Sequence, residues 1–545
     1  MNNPYYPLAC ILSVLLLLSP GLLFSQKFSR ADSLRGTLSP LRSCYDVTFY
    51  DLEVKVNPDL RRIAGSNVFH FRATQPFSRI QIDLFSNMEI ERIEYHNKRL
   101  TFEREHHAVF IDFPNTIPHG IQDSFKVVYF GTPIEAIRPP WDGGFVWEKD
   151  RNGRHWIGVA CEGLGASCWW PLKDHLSDEP DSMRISLIFP QDLEVISNGV
   201  LRKKTKLAGN FTRSEWFVSY PINSYNVTFY AGDYVHFSQA YVNDTLAYRL
   251  DYYVLSYNEE VAKAHFRQVK PMLKTFEDLF GPYPFSRDGF ALVESSYWGM
   301  EHQGAIAYGN KYRNNDYGFD FIIIHESGHE WFGNSLSAND HAELWIHESF
   351  TTYAEALYLE KKDGYETAVK YLLEQKEYIK NKTPIIGPLG VNYNDWVGSD
   401  MYYKGSWMLH SLRTAVNNDN LWFRTIKSFA LDHMMQQMDS QQVIAYFNEK
   451  LGQDYTYLFQ QYLRETKLPI LAYRIKKKRG NKGTLEYKWV CNTANFRMPV
   501  EVTIGKKRMR LTPTPDWQSF PLDNAKQSEV EFDLGKSLFV PRINY

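Results

Sequence analysis

Residues 321–334, FIIIHESGHEWFGN, contain the sequence pattern that most constrains the fold. The apolar run before His325 and the spacing of His325 and His329 predict a helix over 319–334, because residues four apart share a helix face. Both imidazoles can then bind one ion while Glu326 points at a water molecule beside it. Two histidines and one carboxylate leave a coordination position open, which is typical of catalytic zinc.

The third ligand is predicted from residues 344–350, LWIHESF, which contain Glu348. Their apolar positions predict a second helix, 344–359, that can pack against the first. Histidines that were merely buried in a core would not require this second segment. We therefore predict one zinc ion held by His325, His329 and Glu348, with Glu326 as the general base.

With these residues the sequence resembles the aminopeptidase N family of gluzincin metallopeptidases. In that family the carboxylate ligand follows the second histidine after eighteen intervening residues, and Glu348 has this spacing from His329. The resemblance covers nearly the whole chain after residue 44. It implies a zinc aminopeptidase acting on peptides with a free N-terminus.

Residues 298–302, WGMEH, resemble the family's Gly-x-Met-Glu-Asn element. The resemblance implies that Glu301 binds the α-ammonium group of the substrate, with Gly299 and Met300 as further substrate-binding residues. A carboxylate held one residue's length from the metal gains a charge-assisted hydrogen bond only from a free amine. Such a carboxylate therefore measures one residue from the N-terminus.

Two more segments follow the family pattern. Residues 159–162, VACE, resemble its Gln-x-Glu region, which implies that Glu162 joins Glu301 around the amine. Residues 402–405, YYKG, resemble its Tyr-x-Lys-Gly element, which implies that Tyr402 donates a hydrogen bond to the developing oxyanion. Tyr403 is the alternative donor, and simple helix packing of both rings is the structural alternative.

Three positions depart from the family pattern. Trp298 and His302 replace its glycine and asparagine, and Ala160 stands where glutamine is common. We expect these differences to alter substrate backbone contacts and side-chain preference, while the role of Glu301 is retained.

Hydrophobic patterning divides the chain into three parts and predicts a multidomain α+β fold. Alternation such as VKV at 54–56 predicts a large antiparallel β domain over 44–236. Helical periodicity dominates 237–466, the catalytic domain, which the resemblance implies is thermolysin-like. Strand patterns return over 467–545 as a small C-terminal β domain.

The first residues and the overall charge bear on location and partners. An apolar run over 8–18, too short to span a bilayer, predicts a signal peptide over 1–25 and export to the periplasm or beyond. Because no Lys or Arg precedes Lys27, an uncleaved anchor is the alternative. The 61 basic and 63 acidic side chains argue against a nucleic-acid partner or a stable membrane partner after cleavage. The sequence does not indicate an oligomeric state.

Three other functions use parts of this pattern. An endopeptidase needs no free amine, and Glu162 with Glu301 argues against it. Epoxide hydrolysis, as in the leukotriene hydrolase branch, would need lipid recognition, which nothing in the sequence indicates. A silent peptide-binding protein would not need Glu326, Tyr402 and all three ligands together. Because many relatives continue into a large helical domain and this sequence ends at Tyr545, we also expect a more open cleft.

Overall fold

The computed structural model describes residues 28–243, 246–393, 398–477, 482–522 and 530–544. The predicted signal peptide, 1–25, lies outside these residues. None of the helices in the described part is long and apolar enough to cross a membrane. The predicted multidomain α+β fold is confirmed, since strands come first, helices follow and strands return at the end.

The N-terminal part consists mainly of strands, as the alternating pattern predicts. In the first strand, Val54 and Val56 are buried and Lys55 is exposed, so one face covers the core. The elements are α1 (Arg30–Gly36), α2 (Pro40–Ser43), β1 (Tyr45–Asn57), β2 (Arg62–Ala73), β3 (Phe77–Asp83), β4 (Met88–Tyr95), β5 (Lys98–Arg99), β6 (Thr101–Glu105), β7 (Ala108–Ile117), β8 (Gln122–Gly131), β9 (Gly144–Lys149), β10 (His155–Ala160), β11 (Ser182–Pro190), β12 (Glu194–Ser197), β13 (Val200–Leu207), β14 (Phe211–Val218) and β15 (Phe229–Gly232). They form an eight-stranded sheet (β13-β14-β11-β1-β2-β8-β4-β5), a four-stranded sheet (β12-β15-β10-β9) and a three-stranded sheet (β3-β7-β6).

The middle part places helices against a small mixed sheet. Its elements are β16 (Tyr234–Val242), β17 (Ala247–Leu255), α3 (Glu259–His265), α4 (Val269–Phe280), β18 (Phe290–Glu294), β19 (Gly299–Met300), β20 (Ile306–Tyr308), α5 (Phe321–Gly328), β21 (Leu336–Ala338), α6 (Trp345–Asp363), α7 (Tyr365–Gln375), α8 (Tyr403–Val416), α9 (Asp419–Asp432), β22 (Gln436–Met438), α10 (Ser440–Leu451) and α11 (Thr456–Arg464). The five-stranded sheet has the order β16-β17-β18-β20-β19. Strand β19 therefore lies at its edge.

Helix α5 is shorter than the sequence pattern predicts. It ends at Gly328 rather than continuing to residue 334, because the amides of Glu330 and Trp331 donate to carbonyl oxygens three residues back, at Ser327 and Gly328. His329 nevertheless keeps helical backbone angles, and its amide still donates to the carbonyl oxygen of His325. The two histidines therefore stay on one face although the helix ends between them.

The C-terminal part returns to strands: β23 (Ile470–Lys477), β24 (Gly483–Val490), β25 (Val500–Ile504), β26 (Lys507–Leu511), β27 (Gln518–Leu522), β28 (Val530–Phe532) and β29 (Val540–Ile543). They form a four-stranded sheet (β27-β24-β23-β29) and a three-stranded sheet (β26-β25-β28). Phe276 of α4, Leu409 of α8 and Trp489 of β24 belong to one hydrophobic core. The C-terminal sheets and the helices are therefore packed on shared apolar residues.

The division of the chain at 236/237 stays a prediction. Strand β16 crosses this position, and it pairs with β17 of the middle part over its whole length. A second core joins the N-terminal sheets to Met300 of β19. Edge strand β19 thus lies where the N-terminal and middle parts meet.

An N-terminal strap, residues 28–44, ties distant parts of the molecule together. Arg42 is fully buried and forms an ion pair with Asp83. The hydroxyl of Thr37 donates to the carbonyl oxygen of Gly390 over 2.8 Å. The strap therefore links the N-terminal sheets to the segment that precedes α8.

Candidate metal centre

The end of α5 and the first turn of α6 bring the three predicted ligands together. His325, His329 and Glu348 each place one ligand atom within 4.8 Å of the other two. Glu348 Oε2 lies 3.4 Å from His325 Nε2 and 3.5 Å from His329 Nε2, and the two Nε2 atoms are 3.2 Å apart. All three side chains are buried.

The other nitrogen of each imidazole is held by the protein. His325 Nδ1 lies 2.7 Å from Glu355 Oε1, and His329 Nδ1 lies 2.9 Å from the carbonyl oxygen of Phe332. Both partners accept hydrogen bonds, so each Nδ1 carries the proton and each Nε2 lone pair is free to bind a cation.

The buried carboxylate of Glu348 favours a cation at this position. Its Oε2 atom is buried and has no hydrogen-bond partner among the described residues. Burial opposes its charge, but positive charge on His329 and His325, when these hold a second proton, lowers the pKa of Glu348. With both imidazoles neutral, a bound cation would take over this role. Two neutral imidazole nitrogens and one carboxylate oxygen converging on one point fit a zinc ion with one position left open.

Glu326 lies directly beside these ligands, with a carboxylate oxygen within 4.8 Å of ligand atoms of His329 and Glu301. Burial raises the pKa of Glu326 to about 8, and a cation bound by the neighbouring ligands would lower it again. A Cβ added to Gly299 would lie 2.4 Å from Glu326 Oε1. Glycine at 299 is therefore what allows β19 to pass against this carboxylate.

A second pair of carboxylates lies next to the metal ligands. Glu162 and Glu301 place oxygens within 4.8 Å of each other and of Glu348. The hydroxyl of Tyr225 donates to Glu301 Oε1 over 3.0 Å, whereas Glu162 Oε1 has no partner in the described part of the chain. Burial, together with repulsion from Glu301, raises the pKa of Glu162. A cation brought here by a ligand would relieve this repulsion.

Tyr402 and Tyr403 face different surroundings at the start of α8. The ring of Tyr402 lies 6.1 Å from that of His325, whereas Tyr403 packs 5.4 Å from Tyr378. Burial, with added repulsion from Glu348, raises the pKa of Tyr402, so its phenol keeps its proton and can donate. Of the two, Tyr402 is the one that faces the metal ligands.

These groups line one cavity of about 280 Å³ between the N-terminal and middle parts. Of the residues predicted from sequence, Gly299 and Met300 form edge strand β19 along its wall. The three departures from the family pattern behave differently. Trp298 lines the cavity, and Ala160 is buried in β10. His302 is also buried, and its Nδ1 atom lies 2.7 Å from the hydroxyl oxygen of Tyr230.

Sequence reasoning missed the residues that hold the site in place, chiefly Glu355, Tyr225 and the Phe332 carbonyl. Glu355 follows Glu348 by seven residues in α6, a spacing of two helical turns that could have revealed it. Tyr225 lies in the N-terminal part, far along the chain from Glu301, and no local pattern marks it.

Comparison with known proteins relates this geometry to a family. The family model described as "Peptidase family M1 domain" matches residues 264–462 of this chain. Glutamyl aminopeptidase of Rattus norvegicus is 25% identical over 194 residues, which cover 33% of this chain and 20% of that protein. Aminopeptidase B of the same organism is 26% identical over 205 residues, covering 35% of this chain and 32% of that protein. The chain thus spans a third or less of the length of either relative.

Among solved structures, the fold is similar to that of an M1 zinc metallopeptidase from Deinococcus radiodurans. The TM-score is 0.67 at 19% identity, over 78% of this chain and 94% of that chain. The matched family region contains His325, His329, Glu348 and Tyr402, and the structure brings these residues together around one cavity. Residues 264–462 thus match the peptidase family M1 domain, and 78% of the chain is similar in fold to a solved M1 zinc metallopeptidase.

Proposed function

We propose that the chain is a zinc-dependent aminopeptidase that removes N-terminal residues from peptides. The observation that carries this proposal is the pair Glu162 and Glu301, buried beside the His325, His329 and Glu348 ligand set. A metal centre alone would serve any metallopeptidase. Two further buried carboxylates at the same end of the cavity require a positive group, and the α-ammonium of a peptide supplies it.

When bound by the three ligands, zinc supplies Lewis-acid polarisation of the scissile carbonyl and lowers the pKa of water. Glu326, beside the ligands, takes the proton from the attacking water and passes it to the leaving amine. Tyr402 donates a hydrogen bond to the oxygen on which negative charge develops. Glu301 and Glu162 hold the ammonium group, so the first peptide bond is the one presented to Glu326.

The experiment is hydrolysis of a panel of aminoacyl amides, each compared with its N-acetylated twin, before and after treatment with a chelator. Cleavage of only the free-amine compounds, lost with chelator and restored by zinc, is expected. Equal cleavage of acetylated twins would identify an endopeptidase instead. Glu301→Gln is the matched variant: it removes the charge but not the shape, and should lower kcat/KM by about 10- to 100-fold on free-amine substrates.

We also propose that the chain is exported, on the basis of the apolar run over 8–18. Sequencing the N-terminus of the protein recovered from cells tests this. A new N-terminus near Gln26 is expected, and retention of Met1 in a membrane fraction would support the anchor.

A further inference from the structure

Two exposed tryptophans lie at the cavity, and exposed Ile137 precedes one of them in the same loop. Ile137 is 87% exposed, Trp141 is 52% exposed and Trp298 is 47% exposed. Trp141 and Trp298 both line the cavity. Large apolar side chains exposed together at a cleft mark a surface that binds something, because water is a poor environment for them.

Three of the rings at this cavity form a continuous row, which we call the aromatic rim: Trp141, Trp298 and Phe321. The ring centroids of Trp141 and Trp298 are 6.4 Å apart, and those of Trp298 and Phe321 are 5.6 Å apart. Phe321 lies in turn 5.3 Å from the ring of His325. The row therefore runs from a metal ligand out to solvent.

The aromatic rim is held in place before any ligand binds. The indole N–H of Trp298 donates to Asn310 Oδ1 over 3.2 Å. The loop carrying Trp141 is closed by Asp142, whose carboxylate accepts from the amides of Ile137 and Arg138 over 2.9 and 2.7 Å. A fixed apolar surface binds a side chain with little loss of its own conformational freedom.

The order of groups along the cavity shows which part of a substrate meets the rim. Glu162 and Glu301 place carboxylate oxygens within 4.8 Å of each other and of Glu348, whereas Glu326 is grouped with Glu301 and His329. Gly299 passes directly against Glu326, and Trp298 is the next residue along the backbone, away from Glu301. Since an extended chain advances about 3.3 Å per residue, Trp298 lies beyond the scissile bond when the amine is at Glu301.

We propose that Trp298 and Phe321, faced by Trp141, form a subsite for the side chain of the second residue of the peptide, the one that follows the scissile bond. This inference rests on the proposed aminopeptidase function and adds its substrate class: peptides whose second residue is aromatic or a large aliphatic. Apolar contact and ring stacking favour such a side chain over a small or charged one. The carboxylates at the other end of the cavity favour only the ammonium group.

The test uses the full-length, zinc-loaded protein and a series of Ala-Xaa amides in which only the second residue changes, with Xaa as Phe, Leu, Ala or Asp. The quantity measured is the ratio of kcat/KM for Phe to that for Ala. We expect about tenfold or more for the unaltered protein, a ratio near one for Trp298→Ala, and most of the preference retained by Trp298→Phe. Trp517→Ala, which removes a 37% exposed tryptophan of the C-terminal part, should leave the ratio unchanged.

Failure of this inference and failure of the proposed function give different results. Calorimetric binding of Ala-Phe amide and Ala-Ala amide to Glu326→Gln repeats the comparison without turnover. If Trp298→Ala keeps the Phe-to-Ala ratio in both rate and binding, the subsite is refuted while the aminopeptidase stands. If no free-amine amide is cleaved by the unaltered protein, the proposed function fails, and the binding ratio alone still decides the subsite.

Discussion

At the scale of single residues, the cavity concentrates negative charge. Glu162, Glu301, Glu326 and Glu348 are all buried, and their carboxylates lie in overlapping groups around His325 and His329. Burial raises the pKa of Glu301 as it does that of Glu162 and Glu326. Such a cluster is stable in its charged form only with cations present, so a bound metal and the ammonium group of the proposed substrate would both stabilise it.

Replacing Glu326 with Gln separates chemistry from metal binding. The amide keeps the shape that fits against Gly299 but cannot accept the proton from water. We expect kcat to fall by about 10²- to 10⁴-fold while one zinc per chain is retained, as measured by steady-state kinetics and metal analysis. Loss of zinc together with activity would place Glu326 among the ligands instead.

Tyr402→Phe and Tyr403→Phe form a matched pair, because both remove one hydroxyl from neighbouring rings that line the same cavity. Only Tyr402 packs beside His325. Its loss should lower kcat by about 10²- to 10³-fold, and loss of the Tyr403 hydroxyl should change kcat only slightly. The reverse result would assign the oxyanion donor to Tyr403.

The sequence predicted these residues unevenly. His325 and His329 could be placed because a helical period puts them on one face, and Glu326 because it follows His325 directly. Glu348 was predicted from its own helical segment and from the spacing that the family resemblance implies. Tyr225 could not be found, since it reaches Glu301 from a segment 76 residues away along the chain. Contacts of this kind depend on how the domains pack.

At the scale of elements, helices α6 and α8 approach each other closely at one point, where the Ser349 side chain of α6 lies against Gly405 of α8. A Cβ added to Gly405 of α8 would lie 1.7 Å from Ser349 Oγ of α6, next to Glu348. Ser349 Oγ also donates to the carbonyl oxygen of Met401, just before Tyr402. This close contact fixes the position of Tyr402 relative to the metal ligand.

Gly405→Ala should therefore be destabilising, although alanine ordinarily favours a helix by up to about 1 kcal/mol over glycine. We expect a loss of about 1 to 3 kcal/mol, measured as a lower urea midpoint, with a larger loss of kcat than of zinc. The exchange variant Gly405→Ala with Ser349→Gly restores the space and should recover part of both. Equal stability of Gly405→Ala and the unaltered protein would contradict this account.

His410 of α8 gives an acid-dependent contribution to stability. Its Nε2 donates to the carbonyl oxygen of Gly535 over 3.1 Å, and burial lowers its pKa to about 3. Because the unfolded chain binds this proton near pH 6.5 and the folded chain does not, stability is present above that pH and is lost as pH falls toward 3. Unfolding midpoints at pH 4.5, 5.5 and 6.5 should show a flatter pH dependence for His410→Gln, by up to about 1.4 kcal/mol per pH unit.

Element boundaries were the least predictable feature. The apolar run into His325 indicates a helix, but its stop at Gly328, where the amides of Glu330 and Trp331 begin to bond three residues back, has no signal in that run. The alternating pattern could likewise identify β16 as a strand but not its partner. Its pairing with β17, across the predicted boundary at 236/237, is set by the packing of the middle part.

At the scale of the whole molecule, the N-terminal strap depends on a buried charge. Arg42 is fully buried, pairs with Asp83 and also donates to the carbonyl oxygens of Arg35 and Thr37. Arg42→Met leaves Asp83 charged and unpaired, so we expect a loss of about 3 to 5 kcal/mol in the free energy of unfolding. Arg30→Met, which breaks an exposed pair with Glu105, should cost less than about 1 kcal/mol.

One contact of the strap joins two residues that are made far apart in time during synthesis. Thr37 and Gly390, which it joins, are 353 residues apart. A ribosome adding about 5 to 20 residues per second needs roughly 20 to 70 s to make the second partner after the first. During that interval Thr37 has no partner at Gly390, whereas Asp83, the partner of Arg42, has already been made. The hydrogen bond that joins the strap to the segment before α8 can therefore form only late in synthesis.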